Sequence, residues 1–354
     1  MTTPPVRTAL VAGTTIALLV AGCGSDDTSN VAATTTGVSA STDTGSADTG
    51  AADTGSANTA STDTGSTGGY PISIDNCGVT ITLDEAPQRV VAPSLPGLET
   101  TIAVGQVDRI AGTAGVIDNL LPEYRAEAEE ADLNLISDGG FPPPTREAVL
   151  GADPDFIVSG YEFDFNPDAL GDRGALAEDG LQSYLSEGAC DGATVDDALT
   201  DIENYGLIFG VEDRARDLID DLQADIDGAP VATDSPKVLV IQGDPAAPQT
   251  QGSGSMAADM VQRAGGELLF ADITSLTEIS WEQIIDAGPD VIIVGSFASA
   301  PGAETIEWIK GYEPAAEIPA VTGERFLDVN INDLVPGVRT GEAYVTVATA
   351  VAGG

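Results

Sequence analysis

The 354-residue chain contains no histidine at all. That excludes zinc or manganese sites built from imidazole clusters and removes imidazole as an axial haem ligand. Basic residues are also few: 13 Lys and Arg stand against 57 Asp and Glu, a formal charge of −44. A surface of that sign repels phosphate backbones and anionic lipid headgroups, which excludes nucleic acid as a partner. The plain reading is a solvated acidic surface suited to elevated salt; a cation-collecting surface is the sharper one. Despite the acid, no tight Asp/Glu cluster stands out as a site for a hard metal ion. Aromatics make up only 5% of the chain, so Tyr161, Phe163 and Phe165, grouped within five positions, are a notable concentration.

The N-terminus is apolar but short. Residues 1–8 carry Arg7 and no acid, and residues 9–20 are apolar except for Gly13, Thr14 and Thr15. This falls below the ~20 residues that span a bilayer but suits the core of a signal peptide. It ends in Val20-Ala21-Gly22-Cys23, which resembles the bacterial lipobox, where the cysteine receives a diacylglycerol. An ordinary cleavage site with an incidental cysteine is the alternative. Acyl chains partition at ~0.8 kcal/mol per buried CH₂, so a diacylated Cys23 predicts an extracytoplasmic protein anchored to the outer face of the cell membrane. Of three cysteines, lipidation leaves Cys77 and Cys190, an even pair in a compartment where disulfides persist; two buried thiols are the alternative. Residues 24–69 are rich in Ser, Thr, Gly, Ala and Asp, with repeated Asp-Thr-Gly units and no aromatic. Such a segment cannot bury enough surface to offset ordering entropy and reads as a tether.

From Tyr70 the composition is globular and long enough for two medium domains. Strand-like runs at 89–92, 109–112, 156–159, 237–242 and 291–295 alternate with helical patterns at 97–104, 145–151, 255–264 and 281–288, the alternation of an α/β fold. One pattern occurs twice. Residues 144–158 and 279–293 each place a Ser or Thr helix cap (Thr145, Ser280) two residues before a glutamate (Glu147, Glu282). A short helix, a Pro-Asp pair (Pro154-Asp155, Pro289-Asp290) and an apolar run follow in the same register. The repeat predicts two related Rossmann-like lobes. Between them Val195, Ala198, Leu199, Ile202 and Tyr205, then, beyond Gly210, Ala215, Leu218, Ile219, Leu222 and Ile226, recur at helical spacing. The expected organisation is a leader (1–23), a tether (24–69), an N-terminal lobe (70–193), a helical spine (194–229) and a C-terminal lobe (230–354).

These residues resemble the periplasmic-binding-protein class that carries ferric siderophores and cobalamin, in its actinobacterial lipoprotein form. The likeness spans about residues 72–340. It rests on Asn76-Cys77-Gly78, Ala86-Pro87-Gln88-Arg89-Val90-Val91, Leu98-Glu99, Leu207-Ile208-Phe209-Gly210, Ala264-Gly265-Gly266, Ser280-Trp281-Glu282 and Pro336-Gly337-x-Arg339. The resemblance implies two lobes joined by one long helix, a ligand cleft between them, little closure on binding, and delivery to an ABC permease dimer with its ATPase subunits. It places permease docking on Glu147 and Glu282, matches the family's Cys-Gly and later cysteine with Cys77-Gly78 and Cys190, and predicts a monomer with no catalytic residue, resident cofactor or metal site. Ligands of α/β sheets meet the loops after strand C-termini, where the candidates are Ser94, Leu95, Tyr161, Phe163, Phe165, Tyr184 and Ser186 in the first lobe. Gln249, Phe297 and Arg339 are the candidates in the second.

With so few bases, an anionic catecholate chelate fits poorly. A ferric hydroxamate is favoured, with cobalamin or another corrinoid or organic cofactor precursor as the alternative. An enzyme finds little support. Gly252-Ser253-Gly254-Ser255 loosely fits a dinucleotide fingerprint but stands too far from the preceding strand, and no carboxylate pair is singled out for a hydrolase. A surface adhesin would explain the tether but not the paired glutamates.

Overall fold

The computed structural model describes residues 69–297 and 300–353. The leader, Cys23 and the tether lie outside the described residues. Among those residues no helix is long and apolar enough to cross a membrane.

The first lobe opens with a hairpin, β1 (Ile72–Asn76) and β2 (Val79–Leu83). Its two-residue turn is Cys77-Gly78, both at positive φ (50° and 74°), the backbone a tight hairpin of this kind demands. Then come β3 (Val90–Ala92), α1 (Leu95–Ala103), β4 (Ile110–Ala114), α2 (Pro122–Glu130), β5 (Leu135–Ser137), α3 (Arg146–Gly151), β6 (Phe156–Ser159), α4 (Arg173–Glu178) and β7 (Gln182–Leu185). The sheet order is β5-β4-β3-β6-β7, all parallel. The fully buried Phe156, Ile157 and Val158 are what a strand covered on both faces requires.

The second lobe contains β8 (Lys237–Gln242), β9 (Gln249–Thr250), α7 (Met256–Arg263), β10 (Glu267–Leu268), β11 (Thr277–Glu278), α8 (Trp281–Ala287), β12 (Val291–Ser296), α9 (Gly302–Gly311), α10 (Pro319–Thr322), β13 (Phe326–Asn330) and α11 (Thr340–Ala352). In it β10, β8, β12 and β13 run parallel, and β9 and β11 add an antiparallel extension. Both sheets are thus wound in two directions from a central pair, β3/β6 in one and β8/β12 in the other. The repeated segments occupy equivalent places: α3 leads into β6 and α8 into β12. Thr145 accepts a hydrogen bond from Ala148 N and Ser280 one from Gln283 N, as their capping roles predict.

The connection departs from the single long helix that the resemblance implies. It is a hairpin of two helices, α5 (Val195–Phe209) and α6 (Glu212–Gly228), turned at Gly210 in the left-handed conformation (φ 68°). The physical reason is local. Gly206 has no Cβ, and one built there would lie 2.6 Å from the Ala215 methyl, so the two helices pack at close range just after the turn. Val195 starts α5 in the second lobe's core, while Ile202, Tyr205, Ile208 and Phe209 end it in the first lobe's core. Ala215, Leu218 and Leu222 of α6 pack there too, and Ile226 reaches back to the second core. Both helices therefore cross from lobe to lobe.

Candidate functional site

In each lobe the crevice lies where strand order reverses, beyond the C-terminal ends of the central pair. At the first lobe's reversal, α1 starts hard against β6: a Cβ on Gly97 would stand 2.7 Å from Val158 O, and one on Gly160 2.7 Å from Pro96 Cβ. Ser94, at the N-cap of α1, is buried and does not cap the helix with its side chain. Its hydroxyl instead lies 3.3 Å from Ser159 Oγ and accepts from Gly160 N. Ser159 donates to Asp164 Oδ2, while the other oxygen, Oδ1, is buried without a partner among the described residues. Burial pushes the Asp164 carboxyl up to about 6, with the Ser159 and Ser94 hydroxyls pulling the other way.

Asp164 sits within the 3₁₀ turn Glu162–Phe165, which carries the aromatics outward. The Tyr161 and Phe163 rings stack at 4.8 Å, and Phe141 meets Phe163 edge-on at 5.9 Å. Phe141 is 81% exposed and Phe163 39%, costly positions for rings this large unless something covers them. Tyr161 Oη lies 3.5 Å from Asn332 Oδ1 of the second lobe, so this ladder of rings starts at the interlobe contact and runs away from it. Burial, then the nearby Asp164 charge, pushes the Tyr161 phenol up to about 12.

Arg339 closes the seam between lobes. Its Nε and Nη2 grip Glu99 of α1 at 2.6 and 2.9 Å, Nη1 donates to Asp333 at 2.9 Å, and Nη2 also donates to Asn119 O. Glu99 accepts from Leu121 N as well, at 2.7 Å. The side chains of Arg339 and Glu99 are 11% and 2% exposed, and Leu95, Pro336 and Val338 fill the seam around them, leaving about 10 Å³ free.

The second lobe's crevice, about 100 Å³, is lined by Gln242, Gln249, Gln251, Leu276, Ile331 and Leu334 among others. Ile331 and Leu334 flank Asn332, so it lies next to the Tyr161 contact. Phe297, 39% exposed, stands at the end of β12. Gly254 O accepts from Ala193 N, and Ser255 caps α7, so the loose dinucleotide fingerprint forms the loop under the start of the spine.

The structure therefore sorts the sequence candidates. Tyr161 and Phe163 lie on one side of the cleft, Gln249 and Phe297 on the other. Five expectations are corrected. Tyr184 is fully buried, donating to Asp201 and packed edge-on against Tyr205 at 5.5 Å, because alternation along β7 turns it into the core. Phe165 ends the 3₁₀ turn facing inward, under the Arg173 guanidinium. Arg339 is consumed by Glu99 and Asp333, and Leu95 is packed in the seam rather than at its rim. Ser186 likewise donates to Asp201. Phe141, Asp164, Asn332, Gln242 and Gln251 were not picked out from the sequence. Phe141 follows Gly139-Gly140 and precedes three prolines, a loop signature that would have found it. Gln251 shares a face with Gln249 by strand alternation.

Cys77 and Cys190 face each other with Cα atoms 5.1 Å apart and sulfurs at bonding distance, and with Phe163, Phe165 and Arg173 they line a hollow of about 620 Å³ on the first lobe. Glu147 and Glu282 are exposed in the first turns of α3 and α8. Each helix runs antiparallel to the strand it feeds, so both glutamates stand on the sheet edge that holds the crevices.

Two doubly wound lobes with facing crevices define a bilobal solute receptor. The chain belongs to the periplasmic binding protein family, which matches residues 90–329, the substrate-binding component of ABC importers. It is 24% identical over 289 residues to a cobalamin-binding protein of Halobacterium salinarum, covering 78% of this chain and 72% of that one. Among solved structures it is similar to a periplasmic binding protein from Veillonella parvula (TM-score 0.68, 22% identity, 80% of this chain and 97% of the other). It is also similar to an ABC-type Fe3+-hydroxamate transport system protein from Saccharomonospora viridis (TM-score 0.66, 21% identity, 81% and 100%).

Proposed function

We propose that the protein is an extracytoplasmic lipoprotein, anchored through Cys23, that captures a bulky metal chelate of neutral or positive charge and hands it to an ABC permease. It acts as a monomeric carrier and not as an enzyme. The observation that carries the reading is the exposed ladder Phe141–Phe163–Tyr161 beside a seam whose one guanidinium is already spent. Aromatic faces hold large apolar ligands. Among the described residues, no basic side chain other than Arg339 borders the seam or the second lobe's crevice. Catecholate chelates and the propionates of haem would meet no free counter-charge in the seam or that crevice, and Arg173, which lines the hollow beside Phe163, is already spent on Asn76 and Ser183. A Tyr161 phenol held near 12 stays neutral rather than serving as a tyrosinate ligand.

A corrinoid fits best: its ring is large, and its rim is made of uncharged amides. The curated relatives named for cobalamin point the same way. A ferric hydroxamate is the second reading, favoured by the same lack of free cations. In this reading the exposed Glu147 and Glu282 dock on the two halves of the permease, where Arg–carboxylate pairs supply geometry as well as attraction, and Cys77–Cys190 is oxidised.

Isothermal titration of the full-length protein with cyanocobalamin, a ferric trihydroxamate, a ferric catecholate and haemin tests the reading. Submicromolar binding is expected for cyanocobalamin and none for the catecholate. Tight binding of the catecholate alone would overturn it.

A further inference from the structure

The second lobe's crevice differs from an ordinary apolar pocket in what lines it. Gln242 ends β8, and Gln249 and Gln251 lie on one face of the extended segment through β9, while Thr250 between them turns inward and donates to Val240 O. All three glutamines are half-buried, and none of their side-chain amides has a hydrogen-bond partner among the described residues. Glycines make their room. Gly243, at φ +85°, has only the Gln249 side chain (Oε1 3.4 Å) near where its Cβ would be, and a Cβ at Gly295 would come within 3.4 Å of Ile331 Cδ1 and 3.6 Å of Gln242 Oε1, so a larger residue there would crowd the Gln242 amide. Three primary amides, each with two donors and an acceptor, thus converge on about 100 Å³. That is room for the arm of a ligand and not for its ring.

We infer that Gln242, Gln249 and Gln251 are the specificity-determining residues of the second lobe, reading uncharged carboxamide arms on the rim of a ligand whose ring rests on the first lobe's aromatics. The inference rests on the chelate reading above and names the rim chemistry within it. Amide pairs with amide reciprocally, each side offering the donor and acceptor the other lacks. A carboxylate arm in the same place would bring a charge with no cation to meet it and would leave the glutamine carbonyls facing an acceptor, which is disfavoured when desolvated. A site built to hydrogen-bond one group rejects its analogue by leaving buried polar groups unpaired.

Titration calorimetry on the full-length protein decides it, with cyanocobalamin and its monocarboxylic acids, in which one peripheral amide is hydrolysed, as probes. Wild type should bind the parent about tenfold or more tightly than at least one of the monoacids, and Gln249→Leu or Gln251→Leu should lose about tenfold for the parent, the scale of one or two lost hydrogen bonds. Gln249→Lys should recover the disfavoured acid, which a merely structural role would not produce. Unchanged melting temperatures establish that the variants fold, and the near-isosteric Gln249→Glu serves if Leu does not. If the parent binds but acids and Leu variants match it, the glutamine assignment is overturned and the carrier reading stands. If cyanocobalamin does not bind while the ferric hydroxamate does, the rim chemistry named here is wrong; if neither binds, the chelate reading falls with it.

Discussion

The two lobes share a topology and differ in what they put at its centre. Where β3 and β6 part, the first lobe places two serines, a buried carboxyl and a stack of rings. Where β8 and β12 part, the second places glutamines and glycines. The same winding creates both crevices, because helices on opposite faces leave the strand ends uncovered where the order reverses. What fills them is free to vary, since Ser159, Gln242 and Gln249 pair in the sheets through their backbones and leave their side chains to the crevices. The lobes also differ in bracing. The first is tied by Cys77 and Cys190 and by Asn76, which accepts from Leu185 N and from Arg173 and donates to Leu185 O. The described part of the second has no such tie.

The largest effect should come from the feature the lobes have in common. Replacing Glu147 and Glu282 together with alanine should abolish uptake in cells or proteoliposomes carrying the cognate permease. Ligand affinity should stay unchanged, and stability should stay within ~0.5 kcal/mol, as for exposed positions away from packing. Each single substitution should give a partial loss. Full loss from one and none from the other would break the symmetry between lobes and reassign docking to a single side.

Next comes the bracing. Cys77→Ser with Cys190→Ser opens a loop whose ends are 113 residues apart, and the chain-entropy relation puts the loss at up to ~4–5 kcal/mol. Denaturant unfolding with and without reductant measures it. Because the tie lies within the first lobe, unfolding should lose cooperativity there first; an unchanged midpoint would mean the first lobe holds without it.

The seam between the lobes ranks third. Arg339→Ala leaves Glu99 buried and unpaired, a loss of about 3 kcal/mol, at the lower end for a broken buried pair because the guanidinium keeps some solvent contact. Glu99→Leu with Arg339→Met should restore much of it, since a packed apolar pair avoids the desolvation cost. A double substitution as damaging as the single would show that the hydrogen bonds to Asn119 O and Leu121 N, and not the charges, hold the seam.

How much of this was legible follows from range. Local features were visible: the capped helices led by Thr145 and Ser280, the buried runs at 156–158 and 291–294, and the repeat that pairs them. Gly210 was seen as an interruption, but that α6 folds back on α5 depends on Gly206 meeting Ala215 across a turn, a contact between helices that periodicity along one chain does not report. The site was harder for the same reason. Tyr184 and Phe165 have the composition of cleft residues, and only the strand face and the direction of a 3₁₀ turn send them inward. For Arg339 the sequence leaves open a contact to the ligand or a pair with acids, and the acid that takes it, Glu99, lies 240 positions away. Exposed Phe141 lies apart from the aromatic group it joins.

The smallest effect tests the difference between the crevices most directly, because it isolates a single group. Asp164 binds its proton more tightly in the folded protein, at about 6, than an unfolded aspartate does near 3.9. The folded state therefore holds more protons than the unfolded state between about pH 4 and 6, and linkage makes stability fall as pH rises through that window. The contribution is fully present below about pH 4 and gone above about pH 6; the gap of roughly two pH units corresponds to ~2–3 kcal/mol at most. Asp201, raised to about 7 by burial, acts with the same sign over a wider window, and the repulsion among surface acids adds a broad slope of its own. The difference between wild type and Asp164→Asn removes both. That difference should be flat below pH 4, shift in favour of the variant between pH 4 and 6, and stay constant above, read from melting temperatures across a pH series. Ligand affinity should change little, since the serines that hold the turn remain. A difference curve flat throughout would mean that Asp164 stays ionised with its free oxygen hydrated. The first lobe's crevice would then be wet at its base, and only the exposed rings would distinguish it from the second.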